Sequence, residues 1–422
     1  MPLGSQFAGV KVEIAKTRPT PPAPDAGALR VARFQAFFCA SAFFQSDGVP
    51  PPAPARVTQT VRRLHKMRNS MSKSVKIAVV QMNASPSPVK ERLARAENFV
   101  AQCVQNGAQL IVLPEVFNTG YEYSDQNYLQ AESFDGLTAT WMKQIPARYH
   151  VHLAGSFLRR EQNAIFNTMF LVAPNGQQWH YDKNYPWIWE RAYFQKGTNI
   201  TIADTEFGKI GFLICWDVAH PNLWQQYSGK VGLMIVSSCP PKALDLALVF
   251  PDGKRILSKN TGALTQYMRR TSDKTFGEYL RRQASYLGIP VAQATSTGFF
   301  TSSFPNLNSS LSMLSIVYPP LLKYKSQFDH ARMEADYFNE TYITDNSGNI
   351  LQSIQPDTEG FAVSDVIIHD SPPQSKGKQP AFGIPKPMYL IDSIAEIMFA
   401  SEYNRKTQRY LSKQASFTNN GG

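Results

Sequence analysis

The sequence predicts an α/β fold, and three observations carry that expectation. Val75–Met82 (VKIAVVQM) and Leu110–Leu113 are short apolar runs of strand length, rich in Val, Ile and Leu. Between them lies a segment with helical spacing, so the three form a strand–helix–strand unit of the kind that packs helices on a sheet. Similar runs recur as far as Ile368 without any repeat of fixed period, which excludes a solenoid. A single α/β domain over residues 74–368 is therefore expected.

Each element has its own reason. Pro86 and Pro88 open the first helix, whose apolar positions Val89, Leu93, Ala96, Val100 and Cys103 recur at steps of three and four. Gly107 follows as its terminator. Val151–Leu158 and Phe166–Val172 read as strands, and Pro174-Asn175-Gly176 as a hairpin turn into Gln178–Asp182. Lys209–Cys215 and Val231–Ser237 are two more strands, separated by a short helix near Asn222–Tyr227. A longer helix is expected over Phe276–Leu287, with Phe276, Leu280, Ala284 and Leu287 on one side, and Ile289–Thr295 follows as a strand. A hairpin of Glu340–Thr344 and Ile350–Ile354 turns at Asn346-Ser347-Gly348, with Phe361–Ile368 beyond. Ser371–Pro387, rich in Pro, Lys and Gly, reads as a linker or wrapped arm. Leu390–Leu411 reads as a helix with Ile391, Ile394 and Met398 on one stripe, packing on its own core or completing a subunit contact. Residues 369–422 thus form a C-terminal arm and helix.

The 422 residues carry 43 Lys+Arg against 32 Asp+Glu, a formal net charge of +11. Most of that excess lies before residue 71: the first 70 residues carry +7, which leaves +4 for the remainder. That body lacks the clustered basic and aromatic residues of a nucleic-acid-binding surface. Residues 1–73 read as a leader that is disordered or a targeting sequence. It is Arg-rich and acid-poor, as an import peptide would be, but broken by proline runs at 19–24 and 50–54. The alternative is a start at Met67 or Met71. The longest apolar run, Phe34 to Phe44, is too short to span a bilayer, so no membrane is expected. Four cysteines at irregular positions (Cys39, Cys103, Cys215, Cys239) fit neither a disulfide framework nor a CxxC zinc site and suit a reducing compartment. A cytoplasmic protein is expected, or an imported one if the leader is real.

Three polar residues stand where strands run out, the place where α/β proteins put reactive groups. Glu115 follows Leu110–Pro114, Lys183 follows Gln178–Asp182, and Cys215 ends Lys209–Ile214. A thiol, a carboxylate and a fixed cation at one sheet edge suit acyl transfer. The carboxylate would take the thiol proton, and the ammonium would hold the developing oxyanion. His220, five residues beyond Cys215, is the alternative base for a Cys–His enzyme. His150 and His152 would face one side of a strand, but no third ligand has metal-site spacing. Cys239 reads as a structural thiol, and Asp217 as a cap on the turn after its strand or an orienting group for the site.

These residues sit in motifs that resemble the nitrilase superfamily of carbon–nitrogen hydrolases. The motifs are Leu113-Pro-Glu115-Val-Phe-Asn-Thr-Gly-Tyr121, Tyr181-Asp-Lys183 with Glu190, Phe194 and Gly197 following, and Gly211-Phe-Leu-Ile-Cys215-Trp-Asp217. Asp135-Gly136, Gly155, Asn167-Thr168 and Pro174-Asn-Gly176 agree with the same pattern, from about Val75 to Ile368. The resemblance implies a four-layer α-β-β-α sandwich and a catalytic set of Glu115, Lys183 and Cys215. It further implies substrate positioning by Glu190 and Trp216, no metal or organic cofactor, a small-molecule substrate, and a homodimer or higher homo-oligomer. Two features depart from the family pattern: Ala219-His220-Pro221-Asn222 follows the cysteine motif, and residues 241–275 and 303–338 look like insertions bordering the pocket. The expected activity is thiol hydrolysis of a small amide or N-carbamoyl compound, releasing ammonia or an amine. A nitrilase is the alternative, and a catalytically silent scaffold the alternative of another class.

Overall fold

Alternation along a single strand determines the layering. The computed structural model describes residues 72–419, apart from 243–244, 263–265, 267–268, 270–273 and 382–385. The expected leader lies outside the described residues except for Ser72 and Lys73, which belong to the first strand. The chain runs β1 (Ser72–Asn83), α1 (Val89–Gln105), β2 (Leu110–Val112), α2 (Gln126–Gln130), α3 (Leu137–Tyr149), β3 (His152–Glu161), β4 (Ala164–Val172) and β5 (Gln178–Asp182). It continues through β6 (Ile202–Thr205), β7 (Gly208–Ile214), α4 (Pro221–Tyr227), β8 (Leu233–Ser238), β9 (Ala247–Val249), β10 (Arg255–Leu257), α5 (Leu280–Leu287) and β11 (Val291–Thr297). Then come β12 (Phe299–Ser302), α6 (Leu307–Val317), β13 (Arg332–Asp336), β14 (Tyr342–Thr344), β15 (Ile350–Ser353), β16 (Gly360–His369) and α7 (Lys386–Asn419).

Twelve of the strands build two sheets, ordered β5-β4-β3-β2-β1-β16 and β6-β7-β8-β11-β14-β15. Each has three central parallel strands, β1, β2 and β3 in one and β7, β8 and β11 in the other, with antiparallel strands outside them. The two sheets join where the end of β1 pairs with the end of β11, Met82 opposite Ser296 and Asn83 opposite Thr297. Successive side chains of a strand point to opposite faces. Val75, Ile77 and Val79 of β1 accordingly share a core cluster with residues of the second sheet. Ala78, Val80 and Met82 pack instead with Leu93, Ala96, Val100 and Cys103 of α1 and with Met142 and Ile145 of α3. On the second sheet, α4 and α5 bring Leu223, Trp224, Tyr227, Leu280, Ala284 and Leu287 to the core. Helices therefore cover the outer faces of a paired-sheet centre, the α-β-β-α sandwich that the resemblance implied.

Several expectations need correction. The helix expected from Phe276 begins as a π-helical turn over Thr275–Tyr279 before α5 takes over. Helix α3, interrupted by Pro146, had no clear apolar period in the sequence. The segments read as insertions contribute β9, β10 and β13, which with β12 make an antiparallel sheet ordered β10-β9-β13-β12. Strands of three to five residues leave too few alternations for the period to register. His150 and His152 do not face one side together, because His150 (φ 56°) is an exposed left-handed cap ending α3 while His152 is buried on β3.

On α7 the buried stripe is Met388, Asp392, Ala395, Phe399 and Tyr403, with Ile391 and Met398 only half-buried beside it. The helix lies on the chain's own core. Arg191 ties it down through Asp392 (2.9 Å) and Glu396 (3.2 Å). No helix among the described residues is long and apolar enough to cross a membrane.

Candidate active site

Three strand ends and a short turn converge to make the site. Glu115 stands three residues past β2, Lys183 immediately past β5, and Cys215 immediately past β7. Glu190 lies in a short 3-10 turn, Ile188–Ala192. All four are almost wholly inaccessible, with Cys215 the most exposed at 5%. Parallel strands must end at the same edge of their sheet, so residues far apart in sequence are delivered to one place.

Cys215 opens a 3-10 turn with φ of 47°, a left-handed conformation that costs a non-glycine residue energy. Asp217 holds that elbow in shape. Its carboxylate accepts hydrogen bonds from the Ile214 N–H (3.0 Å), the Tyr185 N–H (2.8 Å) and the Tyr181 hydroxyl (2.8 Å). Asp217 thus both caps the turn and fastens it to β5 and the segment after Lys183. Its burial raises its pKa to about 6, against the pull of Lys183 and those donors. At Gly197, which donates its N–H to the Lys183 carbonyl (2.7 Å), a Cβ would stand 2.2 Å from the Asp182 carbonyl oxygen. Only glycine allows this approach, which pins the backbone carrying the lysine.

Lys183 Nζ donates to Glu115 Oε1 (2.8 Å) and to Glu190 Oε2 (2.7 Å). Glu115 is held further by the Asn167 amide on Oε1 (2.7 Å) and the Cys239 N–H on Oε2 (2.8 Å), and the Cys215 thiol is close enough to the same carboxylate to feel its charge. Glu190 accepts from the Tyr121 hydroxyl and the Trp187 N–H, each at 2.6 Å. Burial pushes Glu115 above the usual carboxylate range, and the Lys183 ammonium opposes the push. Burial works against the Lys183 cation, but its two carboxylate partners outweigh that and hold it well above the ordinary lysine value. Burial and the neighbouring Glu115 push the Cys215 thiol well up, so it rests protonated. With a neutral thiol the cluster carries two carboxylates and one ammonium.

Other candidates lie elsewhere. Trp216 packs edge-on against Trp187 (4.3 Å between ring centres) and beside Met388 of α7. His220 stacks on Tyr185 at 3.5 Å, and burial pushes its pKa down to about 3, helped by Arg191. A neutral ring sandwiched in this way serves packing. Among the described residues no group of three or more His, Cys, Asp or Glu side chains is arranged to hold a metal ion.

Sequence reasoning gave no role to Asn167, Tyr121 or the Cys239 amide. A buried amide in the apolar strand β4 must find a partner, which was the available signal for Asn167. A backbone N–H contributed by Cys239 leaves no trace in residue identity.

Comparison with known proteins gives the chain its family. The model of the family described as "Carbon-nitrogen hydrolase" matches residues 76–375, and the chain belongs to that family, within the nitrilase superfamily. A probable nitrilase of Schizosaccharomyces pombe is 32% identical over 35% of this chain and 57% of its own length. An (R)-stereoselective amidase of a Pseudomonas species is 29% identical over 35% of this chain and 54% of its own. A deaminated glutathione amidase of Synechocystis is 32% identical over 36% of this chain and 61% of its own. The chain thus spans little more than half the length of these curated relatives. Among solved structures, an amidase from a Nesterenkonia species matches with a TM-score of 0.50 at 19% identity, covering 72% of this chain and 92% of that one. At that identity the likeness concerns the fold.

Proposed function

We propose that the protein hydrolyses a non-peptide carbon–nitrogen bond in a small amide or N-carbamoyl compound through a thioester on Cys215, releasing ammonia or an amine. One observation carries the reading: a buried thiol stands beside a carboxylate and an ammonium that are joined by a direct hydrogen bond, all at converging strand ends. The charge balance explains their division of labour. A free thiolate beside Glu115 and Glu190 would add a second uncompensated negative charge to a dry site. Passing the thiol proton to Glu115 as sulfur attacks leaves the net charge unchanged.

The steps follow. Cys215 Sγ bonds to the carbonyl carbon while its proton moves to Glu115, and the electron pair of the C=O bond goes to oxygen. Two of the three Lys183 N–H bonds point at carboxylates, which leaves the third for that oxyanion. Glu115 then returns the proton to the departing nitrogen, the C–N bond breaks, and a thioester remains. Water attacks the thioester with Glu115 taking its proton. The sulfur leaves and is reprotonated, releasing a carboxylic acid. Glu190, held by Tyr121 and Trp187, keeps the lysine in register throughout.

The relatives include both amidases and a probable nitrilase, and Asp217 following Trp216 supports an amide over a nitrile. The test is ammonia release from matched amide, N-carbamoyl and nitrile compounds by the full chain and by Cys215→Ala. Turnover of amide or carbamoyl compounds, lost in Cys215→Ala with the circular dichroism spectrum retained, is expected. Ammonia release by the variant at the parental rate would sink the proposal, and activity on nitriles alone would replace amides with nitriles.

A further inference from the structure

Around Trp187 and Trp189 lies a partly open apolar cavity of about 110 Å³ whose lining includes none of Glu115, Lys183, Glu190 and Cys215. Its walls include Trp187 and Trp189, Leu248 of β9, Met313 of α6, Leu321, and Met388 of α7. Apart from the tryptophans, these come from the segments inserted into the sandwich and from the C-terminal helix. A cavity of this order accepts a ring or a chain of a few carbons, much as an engineered cavity of about 150 Å³ takes up benzene.

Its position relates it to the chemistry on two sides. Trp187 and Trp189 flank the start of the turn that carries Glu190, and the Trp187 N–H itself holds the Glu190 carboxylate at 2.6 Å. Trp187 also meets Trp216, the residue after the nucleophile, at 4.3 Å, and Met388 packs on the same indole. One wall of the cavity is therefore built from Trp187, whose backbone N–H holds Glu190 and whose ring packs on the residue after Cys215. A second observation points to a ligand. Trp189 is 5% exposed, and its indole N–H has no acceptor among the described residues. A buried donor without a partner is costly unless something brought from outside supplies one.

We infer that this cavity is the specificity site for the apolar portion of the substrate: a short alkyl chain or a single ring attached to the scissile amide or carbamoyl group. The inference rests on the reading of Cys215 as a nucleophile toward amides. The inserted strands, α6 and α7 then set which acyl group fits, while the sandwich supplies the chemistry. A polar or charged acyl group would have to desolvate against leucine, methionine and indole faces, and so is selected against.

The experiment separates the cavity from the chemistry by measuring binding without turnover. The full chain carrying Cys215→Ala is titrated calorimetrically with straight-chain amides from acetamide to octanamide. Affinity is expected to rise by roughly fourfold per methylene until the chain fills the cavity, and then to level off. Leu248→Trp, which fills the space, is expected to collapse the gain between acetamide and hexanamide to less than threefold. Met313→Phe serves in its place if that variant does not fold. Affinities independent of chain length would overturn the inference, and so would a folded cavity-filling variant with the full gain retained. A chain-length gain in Cys215→Ala together with no ammonia from any amide in the unaltered chain would sustain the cavity and overturn the hydrolase reading.

Discussion

Replacing Lys183 with methionine probes the site through two independent quantities. Lys183 and Glu115 are each no more than 1% exposed, as is Glu190, and the lysine bridges the two carboxylates at 2.8 and 2.7 Å. Methionine preserves much of the volume and removes the charge, so two carboxylates are left facing each other away from water. Removing one partner of a buried ionic group costs about 3–5 kcal/mol. The pH dependence has a definite sign. Burial already raises the folded-state pKa of Glu115, and loss of the opposing cation raises it further. The folded variant then holds a proton that the unfolded chain gives up, so its deficit relative to the parent is large at pH 7.5 and shrinks as the pH falls toward 5. Removing the oxyanion donor should independently cost about 10²–10³ in kcat. Thermal melts of both proteins at pH 7.5 and 5, with ammonia release from butyramide, read both quantities. Equal melting temperatures at pH 7.5, a deficit that grows on acidification, or activity within tenfold of the parent would each refute the reasoning.

Two further substitutions follow from the same contacts. Asn167→Leu withdraws the 2.7 Å donor from Glu115 Oε1, so the base becomes harder to ionise; the acid limb of the kcat/KM profile should move to higher pH, and an unmoved limb would deny Asn167 its positioning role. Asp217, whose pKa is raised to about 6, binds a proton in the folded chain that the unfolded chain loses near pH 4. Its contribution to stability is therefore full below about pH 4 and declines as pH rises through about 6, and Asp217→Asn should flatten the stability curve across that window, as denaturant titrations would show.

The central sandwich was legible because β2 and the inner stretches of β1, β7 and β8 are largely apolar runs buried on both faces, a pattern that survives in sequence. Glu115 and Cys215 were legible for a related reason, since each stands just after such a run, whereas Lys183 follows the mixed strand Gln178–Asp182. What convergence adds is different in kind. The Cys239 amide reaches Glu115 across 124 residues through main-chain geometry, which residue identity does not encode. Tyr121 stood inside a quoted motif, but its hydrogen bond to Glu190 depends on how two loops fold together. The small sheet of β10, β9, β13 and β12 escaped notice because strands such as Ala247–Val249 and Arg255–Leu257 are too short to show alternation. On α7 the stripe was read one position away: Ile391 and Met398 are apolar, yet Asp392, paired with Arg191, takes the buried position. A charged residue that is buried by pairing defeats a reading based on hydrophobicity.

The claim that Cys215 carries the acyl group is open to a direct measurement. The full chain is mixed with butyramide, quenched in acid on the millisecond scale, and its peptides are mapped by mass spectrometry. The account predicts one butyryl group on the peptide containing Cys215, with one equivalent of ammonia released per chain in the first turnover and no adduct on Cys103 or Cys239. Ammonia released with no adduct at any time point, or an adduct on another residue that persists in Cys215→Ala, would contradict it.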